Sequence, residues 1–173
     1  MTRTFTTFVA PTVFATALFT GTAAEASYVP EAQRILDVVA QTGTKITHKT
    51  CTGEDAGNAG FYEIHSNDDG KVTKDELTVC DNNAKGRDYL PTIKHEAIHV
   101  AQACQQWDAD TTGRTDKWLR KQLKENFGPK AYEKLTSLYD KDHVDIELEA
   151  YGMEARPTAE IIEVVKDACA FAF

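Results

Sequence analysis

The residues most capable of chemistry in this sequence are His95, Glu96 and His99, spaced His-Glu-x-x-His in the run from Lys94 to Cys104. Side chains four apart on a helix lie one above the other on one face, so both imidazoles can reach a single cation. Neutral imidazole is a good ligand for zinc, and two such ligands with a third protein group and a water make a catalytic rather than a structural site. Glu96 lies about 100° round the helix from His95, beside the metal rather than beneath it. A carboxylate there can hold the metal-bound water and take its proton as general base.

The third ligand must come from elsewhere. His48, His65 and His143 are candidates, as are many carboxylates, and the stretch Asp142 to Glu154 is the richest place to look. On a helical wheel Val144, Leu148 and Tyr151 share an apolar arc; Glu147 falls within it, and Glu149 falls toward the other side. A carboxylate aimed into a core needs a partner, and a cation is a good one. Glu147 is therefore the first candidate and Glu149 the second. Glu154 shares the inward direction of Glu147 and is placed to hold a ligand histidine by its other ring nitrogen. Hydrolysis of a carbonyl also needs a donor for the oxyanion. His143, one turn before Glu147 on the same side, is the first candidate, with Tyr151, Tyr132 and Tyr139 as others.

The run His95-Glu96-Ala97-Ile98-His99 resembles the active helix of the zincin metallopeptidases. Glu147-Leu148-Glu149-Ala150 resembles the gluzincin branch, whose third ligand is a glutamate on a following helix with a small residue three positions later. The resemblance covers residues 91–155. It implies a zinc cofactor held by His95, His99 and Glu147, with Glu96 as base, a peptide or protein substrate, and a small sheet beside the active helix. Gluzincins often carry an acidic residue four positions after the third ligand; that position here is Tyr151. No third histidine follows His99 closely, as it would in a metzincin.

These residues need a scaffold to position them. Pro91 opens a helix that runs to about Gln106. Before it, the sequence predicts a helix over 30–41, entered through Pro30, then strands over 45–50, 61–64 and 77–80 with a loop over 53–60. After it, helices are expected over 116–127, 129–139, 143–155 and 158–169, punctuated by Gly128-Pro129 and Arg156-Pro157. The order is α+β: a small antiparallel or mixed three-stranded sheet packed on the helix that carries His95, followed by a helical C-terminal half.

Residues 65–76 look like a second metal motif. Asn67, Asp69, Gly70, Val72 and Glu76 match an EF-hand loop, but His65 stands where the first hard oxygen ligand belongs. The favoured reading is a hairpin turning through Asn67-Asp68-Asp69-Gly70. A helix–loop–helix calcium module is the alternative, and calcium is a candidate occupant of the loop in either shape.

The remaining features bound the function. The chain has 173 residues and a net charge of −8 with no basic block, which argues against nucleic acid as a partner. Arg3 followed by an apolar, threonine-rich run from Phe5 to Phe19 and an Ala24-Glu25-Ala26 site reads as a secretory signal over 1–26, leaving one domain over 27–173 with no stretch fit for stable membrane insertion. All four cysteines fall after it, so two disulfides are expected. Three pairings are possible; the preferred one is Cys51 with Cys80, at the ends of two expected strands, and Cys104 with Cys169, joining two helices. A secreted or periplasmic zinc peptidase is the leading reading. A calcium-binding module and a disulfide-stabilised, non-catalytic interaction protein are the alternatives.

Overall fold

A computed structural model describes residues 25–69, 71–84, 87–106, 111–141 and 143–172. The expected leader lies outside the described residues as far as residue 24. The first helix, α1, spans Glu25–Gln41 and so begins before the expected start at Pro30, which falls inside it. Proline lacks one backbone donor but already holds a helical φ, and α1 accommodates it.

Three strands follow: β1 (Lys45–Lys49), β2 (Gly60–Ser66) and β3 (Val72–Cys80), with a short 3₁₀ turn over Gly53–Gly57. Their order is β1-β3-β2, parallel between β1 and β3 and antiparallel between β2 and β3, so the sheet is mixed. Both β2 and β3 extend past their expected apolar segments into a charged hairpin, with His65 opposite Lys74. Alternation sends Leu77 and Val79 into the main core, while Phe61, Cys51 and Cys80 form a separate small cluster. Gly60 is required where it stands, because a Cβ there would meet the Thr78 carbonyl oxygen at 2.8 Å.

The helix α2 (Tyr89–Cys104) is the centre of the fold. It packs against α1, β2, α5 (Val144–Met153) and α6 (Thr158–Ala168). Being covered on several sides, it buries polar residues as well as Ile93, Ala97, Ile98 and Ala101. Outside α5 lie α3 (Asp116–Phe127), entered through a Thr115 cap, and α4 (Ala131–Leu138). Leu119, Leu123, Leu135 and Leu148 form the second core between these three helices. Gly152 lets α5 and α3 approach closely; a Cβ there would meet Leu119 Cδ2 at 2.8 Å. Thus α5 is enclosed by α2 on one side and α3 on another, and Ile146 through Ala150 are all buried, including two glutamates.

Both disulfides of the preferred pairing are present, Cys51–Cys80 and Cys104–Cys169. Among the described residues no helix is long and apolar enough to cross a membrane.

Candidate metal centre

Helix α2 aims His95 and His99 the same way, and α5 brings Glu147 to them. The two Nε2 atoms are 3.0 Å apart. Glu147 Oε2 lies 3.3 Å from His95 Nε2, and Oε1 lies 3.5 Å from His99 Nε2. These three residues form the candidate metal-binding cluster found among the described residues. Four ligands at zinc–nitrogen and zinc–oxygen bond lengths stand about 3.3 Å from one another in a tetrahedron. The observed separations bracket that value.

The hydrogen bonds behind the rings tell the same story. His95 Nδ1 faces the Glu154 carboxylate at 2.9 Å, and His99 Nδ1 faces Gln102 Oε1 at 2.7 Å. Each acceptor draws the ring proton to Nδ1 and turns the Nε2 lone pair inward. Two inward lone pairs and a carboxylate then share one small volume, and Glu147 Oε2 is buried there without a hydrogen-bond partner. One positive charge belongs in that gap. Without a metal it is a proton. Burial opposes charge on His95, but Glu147 and Glu154 against its ring hold its pKa well above the usual histidine range. Burial pushes His99 down to about 4, so it stays neutral. Burial also works against the charge on Glu147, yet the two histidines keep it below the usual carboxylate range. The donor set of two neutral-capable imidazoles and one ionised carboxylate fits a borderline-soft divalent cation such as zinc.

Glu96 sits beside the cluster. Its Oε2 accepts a hydrogen bond from the Tyr62 backbone N–H of β2 at 2.9 Å. Burial, opposed by nearby His95 and reinforced by Glu147, raises its pKa to about 7. His99 is only 1% exposed, and His95 and Glu96 keep 8% and 9%, so the whole arrangement is buried.

The other expected residues take distinct places. Glu149 does not join the cluster: its carboxylate accepts from Gln102 Nε2 at 2.8 Å and from Thr112 N at 2.7 Å. Glu154 holds His95, as its inward direction suggested. His143 caps the start of α5; its carbonyl accepts from Glu147 N, and its half-exposed ring faces Asp140 Oδ1 at 2.6 Å. The Tyr139 hydroxyl is within hydrogen-bonding reach of Glu147 and Tyr151. The Tyr151 ring packs edge-on against His95, 4.5 Å between centroids. His48 and His65 lie on the sheet, facing Asp81 and Glu63. Gln102 escaped the sequence reading. Its only signal is its position three residues after His99, on the same helix face.

The helix–loop–helix alternative for residues 65–76 is not what forms. The segment is a β-hairpin: Asn67 Oδ1 closes the turn by accepting from Lys71 N, and Glu76, the would-be bidentate calcium ligand, is bonded instead to Lys45 and Thr47 with Lys74 nearby.

A domain family described as "Domain of unknown function (DUF8637)" matches residues 27–170. The chain belongs to this family. No curated protein and no solved structure matches the chain. The match of the family extends over α2, α5 and every residue of the cluster.

Proposed function

We propose that this chain is a zinc-dependent hydrolase of peptide bonds. The observation that carries the reading is the buried triad of His95, His99 and Glu147 with an unmatched carboxylate oxygen facing two inward lone pairs and a near-neutral glutamate alongside. The resemblance of α2 and α5 to the gluzincin pattern points the same way. Zinc, when bound, supplies a Lewis acid that makes water a better nucleophile and polarises the scissile carbonyl.

The chain's own residues supply the rest. Glu96 takes the proton of the attacking water and passes it to the leaving amine. The Tyr62 N–H fixes one oxygen of that carboxylate, and the other would receive the proton. A base is most useful when its pKa lies near the working pH, and burial has moved Glu96 toward it. A cation in the cluster would draw that pKa down and keep Glu96 ionised and ready to accept. His143 at the head of α5, whose half-exposed ring faces Asp140, is the proposed donor to the oxyanion, and Tyr139 is its competitor because its hydroxyl already reaches Glu147. The two disulfides support export to an oxidising, secreted or periplasmic setting.

The test uses the purified secreted chain, its metal content by mass spectrometry and a library of unstructured peptides as substrate. One zinc per chain and peptide cleavage are expected. Glu96→Gln should keep the zinc and lose about 10²–10⁴-fold in rate. Loss of the oxyanion donor costs about 10²–10³-fold in turnover, so comparing His143→Gln with Tyr139→Phe separates the two candidates. Zinc without any cleavage, or cleavage that survives Glu96→Gln, defeats the proposal.

A further inference from the structure

The two ligand histidines are supported differently. His95 rests on a carboxylate, and His99 on a neutral amide. An amide is an ambiguous partner, since its oxygen accepts and its nitrogen donates. Turned the wrong way, Gln102 would call for a lone pair on His99 Nδ1 and put the ring proton on Nε2, where a metal must bind.

The surroundings of Gln102 remove the ambiguity. Its amide nitrogen lies 3.0 Å from the Ile146 carbonyl oxygen and 2.8 Å from Glu149 Oε2. Both neighbours are acceptors, so both amide hydrogens are committed to them. The oxygen must then face His99, and Nδ1 of His99 must carry the proton. Glu149 is itself fully buried and held by Thr112 N at 2.7 Å. A buried carboxylate is costly unless it is matched, and the Gln102 amide and Thr112 N–H are among the groups that match Glu149.

We propose that Gln102 and Glu149 form a positioning pair that locks His99 in its Nδ1–H form and thereby sets the metal affinity of the cluster. The metal half of this inference rests on the function proposed above; the protonation half does not. Ile146 and Glu149 both belong to α5, the helix that also carries Glu147. The pair therefore joins the two ligand-bearing helices through one side-chain amide, and Thr112 extends the chain of bonds to the segment before α3. Gln102 and Glu149 touch neither substrate nor metal; they act only through His99.

The experiment has two readouts. In the metal-free chain, long-range proton–nitrogen correlation spectra of the imidazoles report the tautomer of His99. The expected result is protonation at Nδ1, shifting toward a mixture in Gln102→Met. In the second, cobalt(II) is titrated into the parent and variants and followed by its visible absorption. Gln102→Met should bind cobalt(II) about 10–100-fold more weakly. Glu149→Gln, which keeps the shape but can offer a donor to the Gln102 amide, should lose less and alter the cobalt spectrum. Thermal unfolding of each variant shows whether the fold survives; should Gln102→Met unfold, Glu149→Gln carries both readouts. An Nε2–H form of His99 in the parent overturns the pair. So does cobalt(II) affinity within twofold of the parent in the folded variants. A parent with Nδ1–H on His99 that takes up no cobalt(II) overturns instead the metal-binding function on which the second readout depends.

Discussion

Two stretches of this chain carry the residues of a metal site, the hairpin over 65–76 and the α2–α5 cluster, and they come to opposite ends. In the hairpin the chain's own cations reach the acid: Glu76 is bonded to Lys45 and has Lys74 at 3.6 Å, and Thr47 adds a hydroxyl. Hydrogen bonds from Thr47 and Lys45 hold its pKa at about 2. In the cluster Glu147 is surrounded by imidazoles and a phenol, none of them permanently cationic, and one oxygen is left without a hydrogen bond. A carboxylate matched by lysine has no need of a foreign ion. A buried carboxylate matched only by rings that can be neutral leaves room for one. The lesson is that spacing in sequence nominates ligands, and the charge balance after folding decides between them.

The comparison can be broken most severely at the third ligand. Structural zinc binding is worth about 10–16 kcal/mol shared among a few ligands, so losing one should weaken affinity by roughly a thousandfold or more. Glu147→Ala should therefore release zinc in competition with a chelating dye, while Glu76→Ala leaves zinc uptake unchanged; equal effects of the two would dissolve the contrast. Next in size is the support of His95. Glu154→Gln should lower zinc affinity by about 10–100-fold with little change in the circular dichroism spectrum.

A third effect sharpens the contrast through pH, and the two sites have opposite signs. His95 in the metal-free chain has a raised pKa, so its proton favours the folded metal-free form at low pH and that advantage fades as pH rises through the folded value. Metal must displace this proton, so zinc affinity should climb by about tenfold per pH unit below the pKa of His95 and level off above it. A pH-independent affinity would show that no proton is displaced. The carboxyl of Glu76 is depressed instead, so its contribution is complete above the ordinary carboxylate range and is lost as pH falls through about 2. The smallest effect follows: Glu76→Gln should cost about 1 kcal/mol near neutral pH in urea unfolding, and less in strong acid.

Much of this was legible before folding. The i, i+4 histidines needed only a helix, and Pro91 and the apolar residues between them promised one. Glu147 and Glu154 were visible because acids had been written into an apolar arc, which a solvated helix would not require. Other parts were hidden for physical reasons. The outer halves of β2 and β3 are built from Glu63, Lys74, Asp75 and Glu76, whose pairing across strands leaves no apolar alternation to read. Helix α1 passes through Pro30, which by local rules should begin it. Gln102 became meaningful only when tertiary packing brought α5 to α2, and packing likewise singled out Tyr139 from the tyrosines named beforehand.

The cystine between Cys104 and Cys169 has a consequence for how the ligands stay together. It closes a covalent ring of 65 residues' separation around α3, α4, α5 and all of α6, beginning five positions beyond His99 and enclosing Glu147. Closing a ring of that size removes denatured-state entropy worth about 4 kcal/mol. More particularly, even a chain whose core has loosened keeps the carboxylate tethered near the imidazoles at a high effective concentration. An ion captured during such an excursion would meet its remaining ligand by a short intramolecular search, so the oxidised chain should exchange its metal without having to rebuild the whole fold.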